Sequence, residues 1–209
     1  MPITELVVVY VKPEIAKQAN AGLLDASRAL DNTPGCHSVR VGHVLRQDGK
    51  DIESEYRTVF GVEWDKPESY HAFAHSEPYK EFVPTLLPWV TEKPSPGLFQ
   101  SCPGYARSND ALDGAITQIF LATPTGDRDE IIDAWGRLIQ GLKQERETLH
   151  DWNGWGIEGV DGTWAGILRW STVEESDEVS KSKVVEELKA AGKLEEFVVK
   201  FTQTVKNVV

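Results

Sequence analysis

The sequence is poor in the residues that disulfide frameworks, metal sites and basic binding surfaces require. Its 209 residues include two cysteines, Cys36 and Cys102, one methionine and five histidines. Two cysteines with no CxxC or zinc-type spacing exclude a disulfide scaffold and a structural thiolate site, and fit a reducing, cytoplasmic compartment. Positive charge is scarce as well: 22 Lys and Arg against 33 Asp and Glu leave a net charge of −11. A polyanion needs a basic groove, so neither nucleic acid nor an anionic membrane surface is expected as a partner. Long apolar runs are missing. Leu6 to Val11 is strand-sized rather than membrane-spanning, and Met1-Pro2-Ile3-Thr4-Glu5 lacks the basic start of a signal peptide.

What is present is an ordinary globular composition, 40% hydrophobic and 26% charged, long enough for one large domain or two of roughly 100 residues. Ile3 to Val11 reads as a buried strand, and Ile15, Ala19, Leu23, Ala26 and Leu30 then recur at helical spacing until Pro34-Gly35. His37 to Leu45 and Tyr56 to Trp64 read as an antiparallel pair with a long connection through Asp48-Gly49, and a second helix follows from Asp65. The order then repeats. Ala115 to Ala122 is a strand, and Asp127 to about Glu147 a helix with a capping box of Asp127 and Glu130. Trp155 to Val160 and Thr163 to Trp170 form a hairpin across Asp161-Gly162, and a last helix fills most of the remainder.

Residues repeat along with the elements. Trp64-Asp65-Lys66-Pro67-Glu68 aligns with Trp170-Ser171-Thr172-Val173-Glu174, each a strand ending in Trp followed by an N-cap, Asp65 or Ser171, with Glu three places on. Tyr79-Lys80-Glu81-Phe82 is aligned with Leu194-Glu195-Glu196-Phe197. The fold class read from this order is α+β, two ferredoxin-like β-α-β-β-α-β repeats covering 1–104 and 112–209, with a polar linker at about Ser101 to Gly114. Gly97-Leu98-Phe99-Gln100 supplies the fourth strand of the first repeat, whereas that of the second is expected to be short or absent. Such a unit leaves one sheet face apolar and bare. Two in one chain can hide these faces in each other.

The stretch from Val62 through Trp64, Tyr70, His71, Phe73, His75 and Tyr79 to Phe82 resembles the dimeric α+β barrel superfamily, which includes antibiotic-biosynthesis-type monooxygenases, stress-responsive A/B barrel proteins and small polyketide cyclases. Tandem fusion of two units is similar to arrangements in fungal members of that superfamily. The resemblance implies a small-molecule site between sheet and covering helices, often with no metal or organic cofactor. For the first half this site would draw on the helix-facing side of strands 3–11, 37–45 and 56–64 and on the helix from Asp65. A later His used by a related cyclase has no counterpart, because Pro78 and Tyr79 occupy that region.

Candidate chemistry centres on His71 and His75, one helical turn apart and without counterparts in the second half, where the alignment places Glu186 and Ala190. Either imidazole could act as a general base near neutrality, or bond locally on the helix surface. A metal site is not supported: HExxH is absent and no third ligand is indicated. Candidate substrate-binding residues are Tyr10, Arg40, His43, Tyr56, Phe60, Trp64 and Tyr79, each with an alternative as ordinary core or as a partner of a nearby carboxylate such as Glu63. The leading expectation is a cofactor-independent enzyme of secondary-metabolite, polyketide-like or aromatic chemistry, assisting cyclisation, isomerisation or elimination. One alternative is a cofactor-free monooxygenase; another is a non-catalytic stress or ligand-binding barrel. Pairing of two chains into a homodimer is left open.

Overall fold

The structure is a computed structural model, and residues 1–206 are described. The first half runs β1 (Ile3–Tyr10), α1 (Ala16–Ser27), β2 (Cys36–Gln47), the two-residue β3 (Lys50–Asp51), β4 (Arg57–Trp64), α2 (Pro67–Ala74), α3 (Glu77–Leu86) and β5 (Gly97–Ser101). After a one-turn α4 (Asn109–Leu112), the second half runs β6 (Ile116–Pro124), α5 (Arg128–Glu145), β7 (Asp151–Glu158), β8 (Trp164–Trp170), α6 (Val173–Ser180), α7 (Lys183–Ala191) and β9 (Gly192–Lys206). Each half is an antiparallel sheet, ordered β2-β4-β1-β5 and β7-β8-β6-β9. The halves join edge to edge through β5–β7 and β2–β9, closing an eight-stranded barrel with β3 as an outlying strand. Closure removes the exposed sheet edges that two separate units would present.

Strand alternation divides the core into layers. Leu6, Val59, Phe99, Ile119, Trp152 and Val199 fill the barrel interior. On the outside, α1 and α3 cover Val7, Val9, Val41 and Phe60, and α5 and α7 cover Phe120, Trp164, Leu168 and Val198.

Two expectations need correction. The last strand of the second half is the longest in the protein, 15 residues. Its strand formers Val198 and Val199 pair with both β6 and β2, and Phe201 and Val205 with β2. Leu194 to Phe197 therefore lies in β9 and cannot match Tyr79 to Phe82 in α3. The true counterpart of α3 is α7, since Ser76 accepts from Tyr79 N and Ser182 from Val185 N at the two helix starts. The same offset pairs His71 with Asp177 and His75 with Lys181. Second, the N-caps fall one residue later: Lys66 has no side-chain cap, and Thr172 closes a capping box with Glu175. At α5, Asp127 caps Asp129 N. The polar linker between the halves is packed as a plug. Ser108 and Leu112 are fully buried, Thr4 Oγ1 donates to Ser108 Oγ at 2.8 Å, and a Cβ on Gly61 would sit 3.4 Å from Leu112. The plug also carries Asn109 and Asp113 to the interior guanidinium of Arg40, at 3.0 and 3.7 Å.

Candidate functional site

On the first half, α2 and α3 do not close fully on β1 and β4. They leave a cavity of about 70 Å³. Its strand wall comes from Glu5, Val7 and Val9 of β1 with Phe60 and Val62 of β4, and its helix wall from Tyr70, Phe73, Tyr79 and Phe82. Lys93, Pro94 and Pro96 stand at the rim. The break at Ser76 between α2 and α3 turns Phe73 and Tyr79 toward each other, with ring centroids 5.5 Å apart at 78°. The result is an apolar chamber with one acid in its wall.

That acid is Glu5, 8% exposed. Trp64 Nε1 donates to its Oε2 at 2.9 Å. Burial pushes the carboxyl up to about 7, and the Trp64 hydrogen bond pulls the other way. Burial also raises Tyr70 and Tyr79, with the Glu5 charge adding to the shift in both. A carboxyl raised toward neutrality in an apolar chamber has the character that general-base chemistry requires.

The second half shows what the same position looks like without a chamber. Gln118 of β6 takes the place of Glu5 and Trp170 that of Trp64, with Trp170 Nε1 donating to Gln118 Oε1 at 2.7 Å. The Gln118 amide is consumed internally: the two hydrogens on Nε2 are shared among Glu196 Oε1 at 2.6 Å, Ser180 Oγ at 3.0 Å and the Ser176 carbonyl at 3.2 Å. Val185 and Leu188, at the positions of Tyr79 and Phe82, are fully buried. Where the first half leaves the chamber beside Glu5, the second half places Val185 and Leu188 and an amide whose bonds are taken up by Glu196, Ser180 and Ser176.

Of the sequence candidates, Phe60 and Tyr79 line the chamber and Trp64 orients its carboxyl. The others stand elsewhere. His75 is exposed at the C-terminus of α2, its Nδ1 2.7 Å from the carbonyl of His71. His71 reaches Glu158 across the β5–β7 seam, Nε2 to Oε2 at 3.2 Å. Among the described residues no group of three or more His, Cys, Asp or Glu could hold a metal ion. Arg40 is buried inside the barrel, bonded to Ser38 and Asn109. His43 Nε2 lies 2.9 Å from the Glu53 carbonyl and its ring 5.9 Å from Tyr56, which itself sits at φ 54°. Tyr10 closes β1 under the Arg57 guanidinium, on the barrel side of the sheet.

Sequence reasoning missed Glu5, Lys93 and the wall role of Tyr70 and Phe73, which read as core. A signal for Glu5 was available: it shares a strand face with Val7 and Val9, where a charge is out of pattern. A wider cleft of about 590 Å³ lies between α5 and β7, lined by Tyr105, Trp135 and Trp155 among others. Among the described residues its titratable lining side chains are Cys102 and Tyr105, both raised by burial.

No protein-family model matches the sequence, and no curated protein matches it significantly. Solved structures do. An anthrone oxidase-like protein superposes with a TM-score of 0.71 over 96% of this chain and 91% of its own, at 13% identity. A candidate monooxygenase from Lactobacillus acidophilus NCFM gives 0.60 over 100% and 99%, at 12% identity. A candidate chlorite dismutase gives 0.61 over 98% and 96%, at 10% identity. Identities this low establish shape and not chemistry. Among the described residues no helix is long and apolar enough to cross a membrane. The chain has the dimeric α+β barrel fold, with both halves of the barrel carried on one polypeptide.

Proposed function

We propose that the protein is a cofactor-independent oxygenase that oxidises an activated methylene group of a small aromatic molecule. The observation that carries this reading is Glu5, a single carboxyl near its titration point in an otherwise apolar chamber. The names of two structural neighbours, anthrone oxidase-like and monooxygenase, favour oxygenation over cyclisation, isomerisation or elimination as the outcome of the same deprotonation.

The reaction balances without a cofactor. Glu5, ionised, removes one proton from a CH2 group flanked by aromatic or carbonyl carbons, and the carbanion is stabilised as an enolate or phenolate. Electron transfer to dioxygen and recombination form a C–O bond, and the peroxide anion takes the proton back from Glu5 as a hydroperoxide. Glu5 then removes the remaining C–H proton, the C=O bond forms, the O–O bond breaks, and the departing hydroxide leaves as water. One substrate and one dioxygen give one ketone and one water. Exclusion of bulk water by Phe60, Phe73 and Phe82 keeps the carboxylate basic and protects the carbanion.

Anthrone is a suitable probe because its methylene lies between two aryl rings. An oxygen electrode combined with mass spectrometry tests the proposal: uptake of one dioxygen per anthrone, with anthraquinone as product, is expected. Turnover with a change of one water and no oxygen uptake would redirect the chemistry to elimination or cyclisation. Absence of any Glu5-dependent turnover with enolisable aromatics would leave a ligand-binding barrel.

A further inference from the structure

The chamber beside Glu5 is too small for three fused rings. At about 70 Å³ it has room for roughly five waters. The barrel wall beside it, however, is incomplete. β1 pairs with β4 along its whole length, Ile3 to Tyr10, but with β5 only from Ile3 to Leu6. The ladder stops at Leu6↔Gly97, where Pro96 and Pro94 precede Gly97 and have no N–H to extend it. Pairing on this edge resumes only at the far end, where Thr91 N donates to the Tyr10 carbonyl at 2.9 Å and Val11 bridges Val90. Between these points the edge of Val7 to Val9 faces the segment 92–96.

Side chains alternate across that gap. Glu5, Val7 and Val9 face the chamber, whereas Leu6, Val8 and Tyr10 face a second cavity of about 320 Å³ at the mouth of the barrel, whose wall includes Phe99, Leu121 and Val160. Lys93 and Pro94 line both. Among the described residues lining the two cavities, Lys93 is the one basic side chain, with Glu5 in the chamber and Glu92 in the barrel mouth as the acidic ones.

From this we infer that the two cavities are limbs of one site for an extended polycyclic phenol or ketone. One ring sits against Glu5, the remaining rings pass through the seam into the barrel mouth, and Lys93 at the junction holds the substrate oxygen that becomes anionic on deprotonation. The inference rests on the reading above for the role of Glu5. It adds a substrate length, a second set of wall residues and a cation placed where negative charge arrives. As the proton moves to Glu5, charge leaves the carboxylate and appears on the substrate oxygen, where an ammonium at the rim stabilises it more than it stabilises the neutral ground state.

The test uses the intact protein and three probes: 2-hydroxyanthracene, phenol and anthracene. Affinities are read from fluorescence or displacement titrations, and the ionisation of bound 2-hydroxyanthracene from its absorbance as pH is raised. Wild type is expected to bind 2-hydroxyanthracene at least tenfold more tightly than phenol. Leu121→Trp, which fills the barrel-mouth limb, is expected to cost about tenfold for 2-hydroxyanthracene and nothing for phenol, with Leu121→Phe as the milder substitute if the melting temperature falls. Lys93→Met should move the ionisation of bound 2-hydroxyanthracene up by about one pH unit, Lys93→Arg should restore it, and neither should change anthracene binding. Equal affinity for long and short probes, indifference to Leu121→Trp, or an unmoved ionisation in Lys93→Met would overturn the two-limbed site. These outcomes are independent of oxygen uptake. Binding as described without any oxygenation would remove the oxygenase reading and leave the two-limbed site standing, while Glu5-dependent oxygenation indifferent to both variants would do the reverse.

Discussion

Trp64 Nε1 donates to Glu5 Oε2 at 2.9 Å inside the first half of the barrel. The duplicated position keeps the same bond geometry, Trp170 to Gln118 at 2.7 Å, but replaces the acid by an amide. A Trp at the end of the third strand of each unit thus anchors a polar group on the first strand. In the unit with the chamber that group is a carboxyl, and in the other it is an amide bonded to Glu196.

Trp64 should act on rate through the carboxyl it holds. Its hydrogen bond favours the ionised form of Glu5, so Trp64→Phe should push the carboxyl higher still. The rise of kcat/KM with pH is then expected to move to higher pH. A variant that loses turnover equally at every pH would instead point to collapse of the chamber wall.

Two buried carboxyls should make the protein less stable as pH rises. Burial moves Glu5 and Glu63 each from 4.5 to about 7, and for Glu63 the Arg107 and Arg40 charges pull the other way. Both side chains bind protons more tightly when folded. Between about pH 4.5 and 7 folding therefore takes up protons, and the stability these groups contribute, fully present below pH 4.5, is lost as pH passes 7. Glu63→Gln should match wild type at pH 4 and exceed it at pH 8 by on the order of 2 kcal/mol, read from urea unfolding. Glu and Gln are nearly isosteric, and among the described residues the Glu63 oxygens have no hydrogen-bond partner to lose. A larger advantage at pH 4 than at pH 8 would contradict the assignment.

His75→Ala and His71→Ala are expected to leave turnover within about twofold of wild type, because neither ring lines the chamber and both bond on the outer surface. Steady-state kinetics at pH 7.5 decide it. A loss above tenfold for His75→Ala would return the histidine to the mechanism.

The plug should matter for stability and not for chemistry. Leu112 is fully buried against the strands at one end of the barrel, and Leu112→Ala should cost about 2–5 kcal/mol. By the usual scaling for a chain of this size, the melting temperature falls by roughly 5–15 °C. A loss below 1 kcal/mol in urea unfolding would show that the 101–114 segment behaves as a loose linker.

Much of the architecture was legible because it follows from local periodicity. Val7 and Val9 against Leu6 and Val8, Ile131 to Leu142 on α5, and the repeated Trp64 and Trp170 announce strands, helices and duplication by spacing alone. β9 was misread because it opens on Lys193, Glu195 and Glu196, which are weak strand formers, directly after α7 ends at Gly192. The site was less legible for a different reason. A histidine announces its chemistry by its ordinary titration range, whereas Glu5 acquires its own only from burial under Tyr70 and Tyr79, more than sixty residues away in sequence. Lys93 likewise gains meaning only from the seam that Pro94 and Pro96 leave open.

The most direct test is oxygen uptake with anthrone as a function of pH in wild type and Glu5→Gln, with circular dichroism confirming that both are folded. The account predicts a wild-type rate that rises through about pH 7 as Glu5 ionises, and a loss of about 10²- to 10⁴-fold in Glu5→Gln with a flat profile. Undiminished uptake in Glu5→Gln, or a wild-type rate indifferent to pH between 5 and 9, would contradict it.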